Sequence, residues 1–251
     1  MHYECIFVLE PYSGKYMQDF GAAFGDAFRL LGGFDPDLME IIGLSLRVSL
    51  TAVLISGLIG LPLGAILGVS RFRGRAAILV LLNTLMGLPP VVVGLLVYLM
   101  LSNAGPLGPL ALLYTPGAMI IAQSILVIPI VAALARQTIE DMHAEYDEQL
   151  RILGVGRWGT VATLLWDARY SLLTAMLAGF GRAVAEVGAV LIVGGNINHV
   201  TRVMTTAIAL ETSKGNLALA LGLGVVLLLL AIVINAAVMG LRATAVRSAH
   251  A

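Results

Sequence analysis

Long uncharged stretches alternate with short charged segments along the chain. Runs without Asp, Glu, Lys or Arg cover 48–70, 76–135 and 215–241, and a shorter one covers 171–181. A helix needs about 20 apolar residues to cross the roughly 30 Å hydrocarbon core of a bilayer, so the run over 76–135 is long enough for two spans. The pattern predicts an all-α membrane protein with five transmembrane helices, over about 44–69, 78–101, 117–134, 172–193 and 217–241.

Composition agrees with this prediction. Hydrophobic residues make up 59% of the chain and charged residues 12%, against about 25% charged residues in ordinary soluble domains. A soluble fold could not bury so much apolar surface. The 15 basic residues balance the 15 acidic residues, so charge gives no reason to expect a nucleic-acid partner.

The basic residues predict how the chain is oriented in the membrane. Three arginines over 71–75 follow the first span, Arg242 and Arg247 follow the fifth, and the loop after the second span carries no charge. Short cytoplasmic loops are enriched in Lys and Arg. We therefore expect the amino terminus outside the cell and the carboxyl terminus in the cytoplasm. The polar segment over 136–169 is then cytoplasmic.

The segment before the first span has an amphipathic pattern instead of a continuous apolar one. Apolar residues recur at helical spacing from Gln18 to Leu31, which predicts an amphipathic helix lying either on the membrane surface or against the protein's own spans. The first 30 residues lack the basic start and apolar core of a cleavable signal peptide, and we interpret Met17 as the natural start. Cys5 is the one cysteine, which excludes an internal disulfide and a Cys-rich metal site.

Small residues in the first span predict a packing seam. One small residue occurs at every fourth position, which places all of them on one helix face where another helix backbone can approach closely. These residues are Ser56, Gly60, Gly64 and Gly68.

Prolines interrupt the second span. Pro89 and Pro90 each remove a backbone donor, so the helix must break or kink there. Broken helices at membrane depth are tolerated where they are buried in protein or line a cavity.

The fourth span carries two charges. Arg182 and Glu186 are four residues apart, so they share a helix face and can pair directly. Charged residues inside a membrane normally face protein or a water-filled path. Two interpretations follow: a structural pair at a helix contact, or an arginine near the passage of an anion.

The polar segment over 136–169 predicts a helix, a break and a second short helix. Its first helix has an apolar stripe that contains Ile139, Tyr146 and Leu153, and Gly154 and Gly156 interrupt it. An amphipathic helix can place such a face in a groove of a partner. Glycines permit a sharp turn and a close approach.

Within this segment lies the string EQLRILGVGRW, at Glu148–Trp158. It resembles the EAA loop of ABC importer permeases, in which an acidic residue precedes a glycine by six positions. Gln149 and Leu150 replace the alanines that are usual there. The resemblance implies that the segment docks on an ATPase subunit and passes its closure to the membrane helices. The residues that it assigns to ATPase coupling are Glu148, Arg151, Gly154, Gly156 and Arg157.

A second resemblance extends over about 17–240. The strings LLWDARYSLL at Leu164–Leu173, GFGRAVAEVGA at Gly179–Ala189 and GGNI at Gly194–Ile197 are similar to permeases of tungstate ABC importers. Molybdate and sulfate permeases share the run LPPVVVG at Leu88–Gly94. The implied cargo is an oxyanion, tungstate first, with molybdate or sulfate as alternatives.

The resemblance also implies an architecture and partners. We expect a type I ABC importer (MetI-like) transmembrane domain over 36–242, an amino-terminal extension over 1–35 and a cytoplasmic tail over 243–251. The implied assembly is a homodimer in the inner membrane, in contact with lipid. It works by alternating access with ATPase subunits that bind ATP and Mg²⁺ and with a periplasmic or lipid-anchored substrate-binding protein.

Other kinds of chemistry find no support in the sequence. The chain has no G-x-x-x-x-G-K-[ST] loop, no H-E-x-x-H motif and no nucleophile-and-base set, so we expect no catalytic residue, cofactor or metal ligand on it. An ion-coupled secondary transporter would carry acidic residues in several spans or matching interrupted helices in two halves. A membrane scaffold would need neither the prolines nor the intramembrane charge pair.

Overall fold

The computed structural model describes residues 36–249 together with Gly25 and Gly33, and these residues form helices and no β-strand. The predicted helix over 18–31, apart from Gly25, lies outside the described residues, as do Cys5 and Met17. A single 3₁₀ turn, Gly108–Leu110, separates the third and fourth helices. The helices in chain order are α1 (Pro36–Val69), α2 (Arg75–Met86), α3 (Pro90–Leu101), α4 (Pro116–Ile152), α5 (Arg157–Asp167), α6 (Arg169–Val184), α7 (Gly188–Gly194), α8 (Met204–Ser213) and α9 (Leu217–Ala249).

Three of these helices, α1, α4 and α9, are long and apolar enough to cross a membrane. The pairs α2 with α3 and α6 with α7 also qualify, but they are bent by 97° and 59° at short breaks. The structure is therefore compatible with the five predicted spans, two of them as bent pairs. α9 continues without a break from the predicted transmembrane domain into the predicted tail over 243–251, as far as Ala249.

The predicted seam on α1 is confirmed, and its partner is α4. A Cβ at Gly64 would lie 2.4 Å from the Ala132 carbonyl oxygen and 2.8 Å from the Ala135 Cβ. At the same seam the Ser56 hydroxyl donates to the Ser124 carbonyl at 3.4 Å. Only a face of small residues allows two helix backbones to come so close.

α4 is the central helix of the fold. It packs against α1, α2, α3, α5, α6 and α7, and Val127 and Val131 on it are fully buried. α9 lies at the periphery, where it packs on α6 and α8 and leaves side chains such as Leu228 and Ile232 mostly exposed. Exposed apolar side chains on a predicted span are what contact with lipid requires.

The third span and the first helix of the polar segment form one continuous helix. α4 has 37 residues, which at 1.5 Å per residue is about 55 Å, well beyond the hydrocarbon thickness. No glycine or proline interrupts 130–152, and Arg136 forms an ion pair with Glu140 one turn later. The polar segment over 136–169 thus has the predicted helix, break and second short helix, and its first helix is a direct continuation of the third span.

Candidate functional site

The two broken spans meet inside the bundle. α2 ends at Met86, and Pro89, in extended conformation with φ −62° and ψ 124°, precedes α3. The break predicted at Pro89 and Pro90 is therefore confirmed. A Cβ at Gly188 would lie 2.9 Å from the Val91 side chain, and one at Gly94 would lie 2.8 Å from the Ala189 Cα. Glycine at these two positions lets the backbones of α3 and α7 touch.

The fourth span differs from the continuous helix that was predicted over 172–193. α6 ends at Val184, and α7 begins at Gly188. The carboxylate of Glu186 accepts a hydrogen bond from the Ala189 amide at 3.0 Å. An uninterrupted helix would pair that amide with a backbone carbonyl four residues earlier, so this side chain supports the break by capping α7.

Arg182 and Glu186 form the predicted direct pair. The Arg182 Nη1 lies 2.5 Å from the Glu186 Oε2. The Glu186 side chain is 2% exposed and the Arg182 side chain 30% exposed. The carboxylate is thus held by two donors inside the protein, whereas the guanidinium has further N–H groups on its open side.

Two residues that the sequence reasoning missed stabilise this break. The Gln123 amide on α4 donates to the Ala183 carbonyl at 3.0 Å, and the Thr205 hydroxyl on α8 donates to the Glu186 carbonyl at 2.8 Å. Carbonyls released by a helix break at membrane depth need such partners. The sequence did contain a signal for the first of them, because Gln123 is the one amide side chain in the apolar run over 116–135.

The turn after α4 requires glycine at one of the two positions that were assigned to the break in the polar segment. Gly154 has φ +69°, and hydrogen bonds from the Val155 amide to the Leu150 carbonyl and from the Gly154 amide to the Arg151 carbonyl close the helix in a Schellman motif. Gly156 has φ −70° and ψ 166°, which any residue adopts. A Cβ at either glycine would meet nothing within 4 Å in this chain.

The apolar stripe of the polar segment does not form the free docking face that was expected. Ile139 and Leu150 are buried, together with Val69 of α1, Leu164 of α5 and Leu172 of α6. The stripe therefore holds α5 and the end of α1 against α4. Sequence periodicity identified the apolar face correctly, but the partner of that face is this chain itself.

The apolar side chains that remain free lie at the tip of the turn. We name these residues, which are each three-quarters or more exposed, the tip cluster: Ile152, Leu153 and Trp158. Of the predicted stripe, Leu153 is the member that belongs to it.

Charged residues surround the tip cluster. Arg151 is exposed and lies 3.7 Å from the Asp147 carboxylate. Arg151 and Arg157 line a cavity of about 330 Å³ together with Arg71 and His143. Glu148 is exposed and, among the described residues, makes no ion pair. The predicted coupling residues are thus brought together at the turn between α4 and α5.

The opposite end of the bundle ties the α7–α8 connection to the start of α1. The Met204 amide donates to the Ser45 hydroxyl at 2.7 Å. The His199 Nδ1 lies 2.7 Å from the Glu40 carboxylate. This hydrogen bond, helped by the negative charge of Glu40, raises the pKa of His199 above its ordinary value.

Comparisons with known proteins agree on one kind of function. Residues 60–247 match the family described as binding-protein-dependent transport system inner membrane component. The chain is 41% identical to the tungstate uptake system permease protein TupB of Peptoclostridium acidaminophilum, over 90% of the chain and 99% of that protein. It is 38% identical to the protein of the same name from Campylobacter jejuni, over 84% and 89%. It is 40% identical to a probable anion ABC transporter permease protein of Haloferax volcanii, over 79% and 88%.

Proposed function

Because the chain belongs to the family of inner membrane components of binding-protein-dependent transport systems, we propose that it is the permease of an ABC importer for tungstate. It is a transport subunit and not an enzyme. The single observation that carries the tungstate assignment is the relative named for tungstate uptake, which the chain covers almost completely. Molybdate and sulfate are the competing cargoes.

We place the ATPase contact at the tip cluster. Exposed apolar side chains surrounded by arginines have the character of an interface centre with a polar rim, and Ile152, Leu153 and Trp158 lie within one short turn. Arg151 and Arg157 flank them. An ATPase that binds ATP and Mg²⁺ would seat the tip in a groove with acidic edges. We place this end on the cytoplasmic side, because the short loops there are rich in arginine.

We place the passage of the anion at the two breaks. α3 begins at the break in the second span, and half-helices of this kind direct their amino-terminal dipoles toward anions in transporters. The amino terminus of α7 already faces the Glu186 carboxylate. Arg182 lies beside the second break with part of its guanidinium open. A homodimer would bring two such arrangements together on either side of one path.

The proposed cycle is alternating access. A loaded binding protein docks at the end that carries Glu40 and His199, and ATP draws two ATPases together at the other end. The tip cluster moves with them, and because α4 is continuous from the tip to the seam with α1, the movement reaches the two breaks as a rigid-body shift. ATP hydrolysis then resets the permease.

Uptake of labelled tungstate tests the cargo. Cells lacking the gene should lose most of the uptake and regain it when the gene is restored. An excess of unlabelled tungstate should compete fully, and sulfate should compete weakly. Unchanged tungstate uptake in the deleted cells would defeat the assignment. Loss of molybdate or sulfate uptake alone would replace tungstate by that ion.

Substitutions at the turn test the coupling. Leu153→Glu should prevent the ATPase from co-purifying with the permease, because it places an unpaired charge in the centre of the contact. Ala144→Glu is a matched control, since Ala144 is also exposed on α4 and lies about two turns from the tip. Equal ATPase recovery with both variants would show that the tip is not the docking site.

The conformation of Gly154 separates coupling from folding. Gly154→Asp adds a charge at the turn, and Asp tolerates positive φ better than most residues. We expect this variant to insert into the membrane and to lose transport. Gly156→Ala, at a position with ordinary φ and free space, should transport normally. Normal transport by Gly154→Asp would contradict the coupling role.

A further inference from the structure

An open groove runs between α1 and α6. Its volume is about 430 Å³, within the range of sites that hold small molecules. Leu54 and Leu58 of α1 form one wall, and Leu173 and Met176 of α6 form the other. Its one charged lining residue is Arg169. These apolar walls lie within predicted spans, where the surroundings are lipid.

Arg169 lies at the end of the groove nearer the tip cluster. α1 and α6 run antiparallel, and Met176 meets α1 at Gly57, so Arg169 at the first position of α6 lies toward Val69. Its guanidinium lies 4.7 Å and 4.6 Å from the ring centres of Trp166 and Tyr170. Aromatic side chains of this kind concentrate at the level of the lipid headgroups.

The charge of Arg169 has no partner within the described residues. Its Nη1 donates to the Trp166 carbonyl at 2.7 Å, and no carboxylate of the described chain lies within ion-pair distance. A guanidinium has five N–H donors in a planar fork that matches phosphate oxygens. An apolar channel with an unneutralised arginine at its headgroup end is complementary to an amphiphile that has an anionic head.

We propose that this groove binds an anionic phospholipid, with one acyl chain against Leu58 and Leu173 and the phosphate on Arg169. Basic pockets between membrane helices bind anionic headgroups in this way. The predicted spans contain a single acidic side chain, Glu186, and it is already paired, so a second copy of the chain could neutralise Arg169 only with a carboxylate from outside those spans. The inference does not depend on which ion is transported.

Fluorescence quenching by brominated lipid tests the proposal on the full chain. The chain has two tryptophans, so a Trp158→Phe background leaves Trp166, beside Arg169, as the only tryptophan, and its emission is excited selectively over that of tyrosine. The protein is reconstituted in phosphatidylcholine that contains a small fraction of acyl-brominated phosphatidylglycerol or, in parallel, the same fraction of brominated phosphatidylcholine. The relative association of the two lipids with Trp166 is read from the quenching.

We expect an about fivefold preference for phosphatidylglycerol, the factor that corresponds to about 1 kcal/mol for one arginine near an anionic lipid. Arg169→Gln should abolish the preference and Arg169→Lys should keep part of it. Arg73→Gln is the matched control, an exposed arginine outside the groove, and should change nothing. Equal quenching by both lipids in the parent protein would overturn the proposal. Quenching by neither lipid would also overturn it and would assign the groove to a second copy.

Discussion

Removing Arg182 should destabilise the protein more than removing the charge of Glu186. In Arg182→Met the Glu186 carboxylate stays buried, and among the described residues the backbone amide of Ala189 is the one hydrogen-bond donor that it keeps. Breaking a buried ion pair from one side costs about 3 to 5 kcal/mol. Because Arg182 is partly exposed and membrane hydrogen bonds are often weaker than this, we expect a value at the lower end, about 3 kcal/mol.

The reverse substitution has a smaller expected cost. Glu186→Gln keeps an oxygen for the Ala189 amide and leaves a guanidinium that is 30% exposed and can reach water. A lost charged hydrogen bond of this kind costs about 1.5 to 3 kcal/mol, and we expect about 1.5 kcal/mol. In the double variant the carboxylate is gone as well, so its loss of unfolding free energy should be smaller than the sum of the two single losses by at least about 1 kcal/mol.

Reversible unfolding in mixed micelles with increasing dodecyl sulfate measures these free energies. Arg47→Met is the matched control, since Arg47 is exposed on α1, and should change stability by less than about 0.5 kcal/mol. Equal losses from the two single substitutions, or a strictly additive double variant, would refute the asymmetry.

The same variants decide between the two interpretations of the pair. If the pair is only structural, the double variant Arg182→Met/Glu186→Gln should transport tungstate at a rate that follows its recovered stability. If Arg182 also contacts the anion, the double variant should be stable but should not transport.

Three further predictions concern the seam between α1 and α4, the second break and the contact between His199 and Glu40. Gly64→Ala should cost about 1 to 3 kcal/mol of stability, because the added Cβ meets the α4 backbone. Gly43→Ala, where a Cβ would meet nothing within 4 Å, should be neutral or slightly stabilising. The same unfolding assay compares the two variants, and equal effects would contradict the seam. Gln123→Leu should cost about 0.5 to 1.5 kcal/mol in that assay, because the Ala183 carbonyl loses the Gln123 amide but keeps the Glu186 backbone amide as a donor, and an unchanged midpoint would contradict this role of Gln123. The pKa of His199 is raised in the folded protein. The contribution of the His199–Glu40 contact to stability is therefore complete below the ordinary pKa of 6.5 and is lost as pH rises through the raised value. The melting temperature should fall on going from about pH 6 to about pH 9, and His199→Gln should reduce that fall.

Local patterns predicted what depends on neighbouring residues. The apolar runs located the three long helices and the two bent pairs that qualify as spans, since span length is a property of one helix and the bilayer. Pro89 and Pro90 predicted the first break, because proline removes a donor wherever it stands in a helix. The four-residue period of Gly60 and Gly64 predicted a close helix contact, although not that α4 would make it.

Features that depend on distant residues escaped the sequence analysis. The second break has no proline, and its released carbonyls are held by Gln123 and Thr205, 60 and 19 residues away along the chain from their partners. The apolar stripe that includes Ile139 resembled a docking face because its true partners, near Val69 and Leu164, come from other helices. Periodicity reveals that a face is buried, but not what buries it.

The continuity of α4 would let the docking turn that we propose act on the breaks deep in the bundle. A flexible loop between the tip and the spans would absorb a displacement, whereas a helix without glycine or proline over 130–152 transmits it. The buried stripe stiffens this connection, because it fastens α5 and the end of α1 to the same helix. Gln123 lies on α4 as well, on the far side of Pro129 from the tip, and holds the Ala183 carbonyl beside the second break. A shift of α4 along its axis therefore changes a contact at the break directly, without any intervening loop.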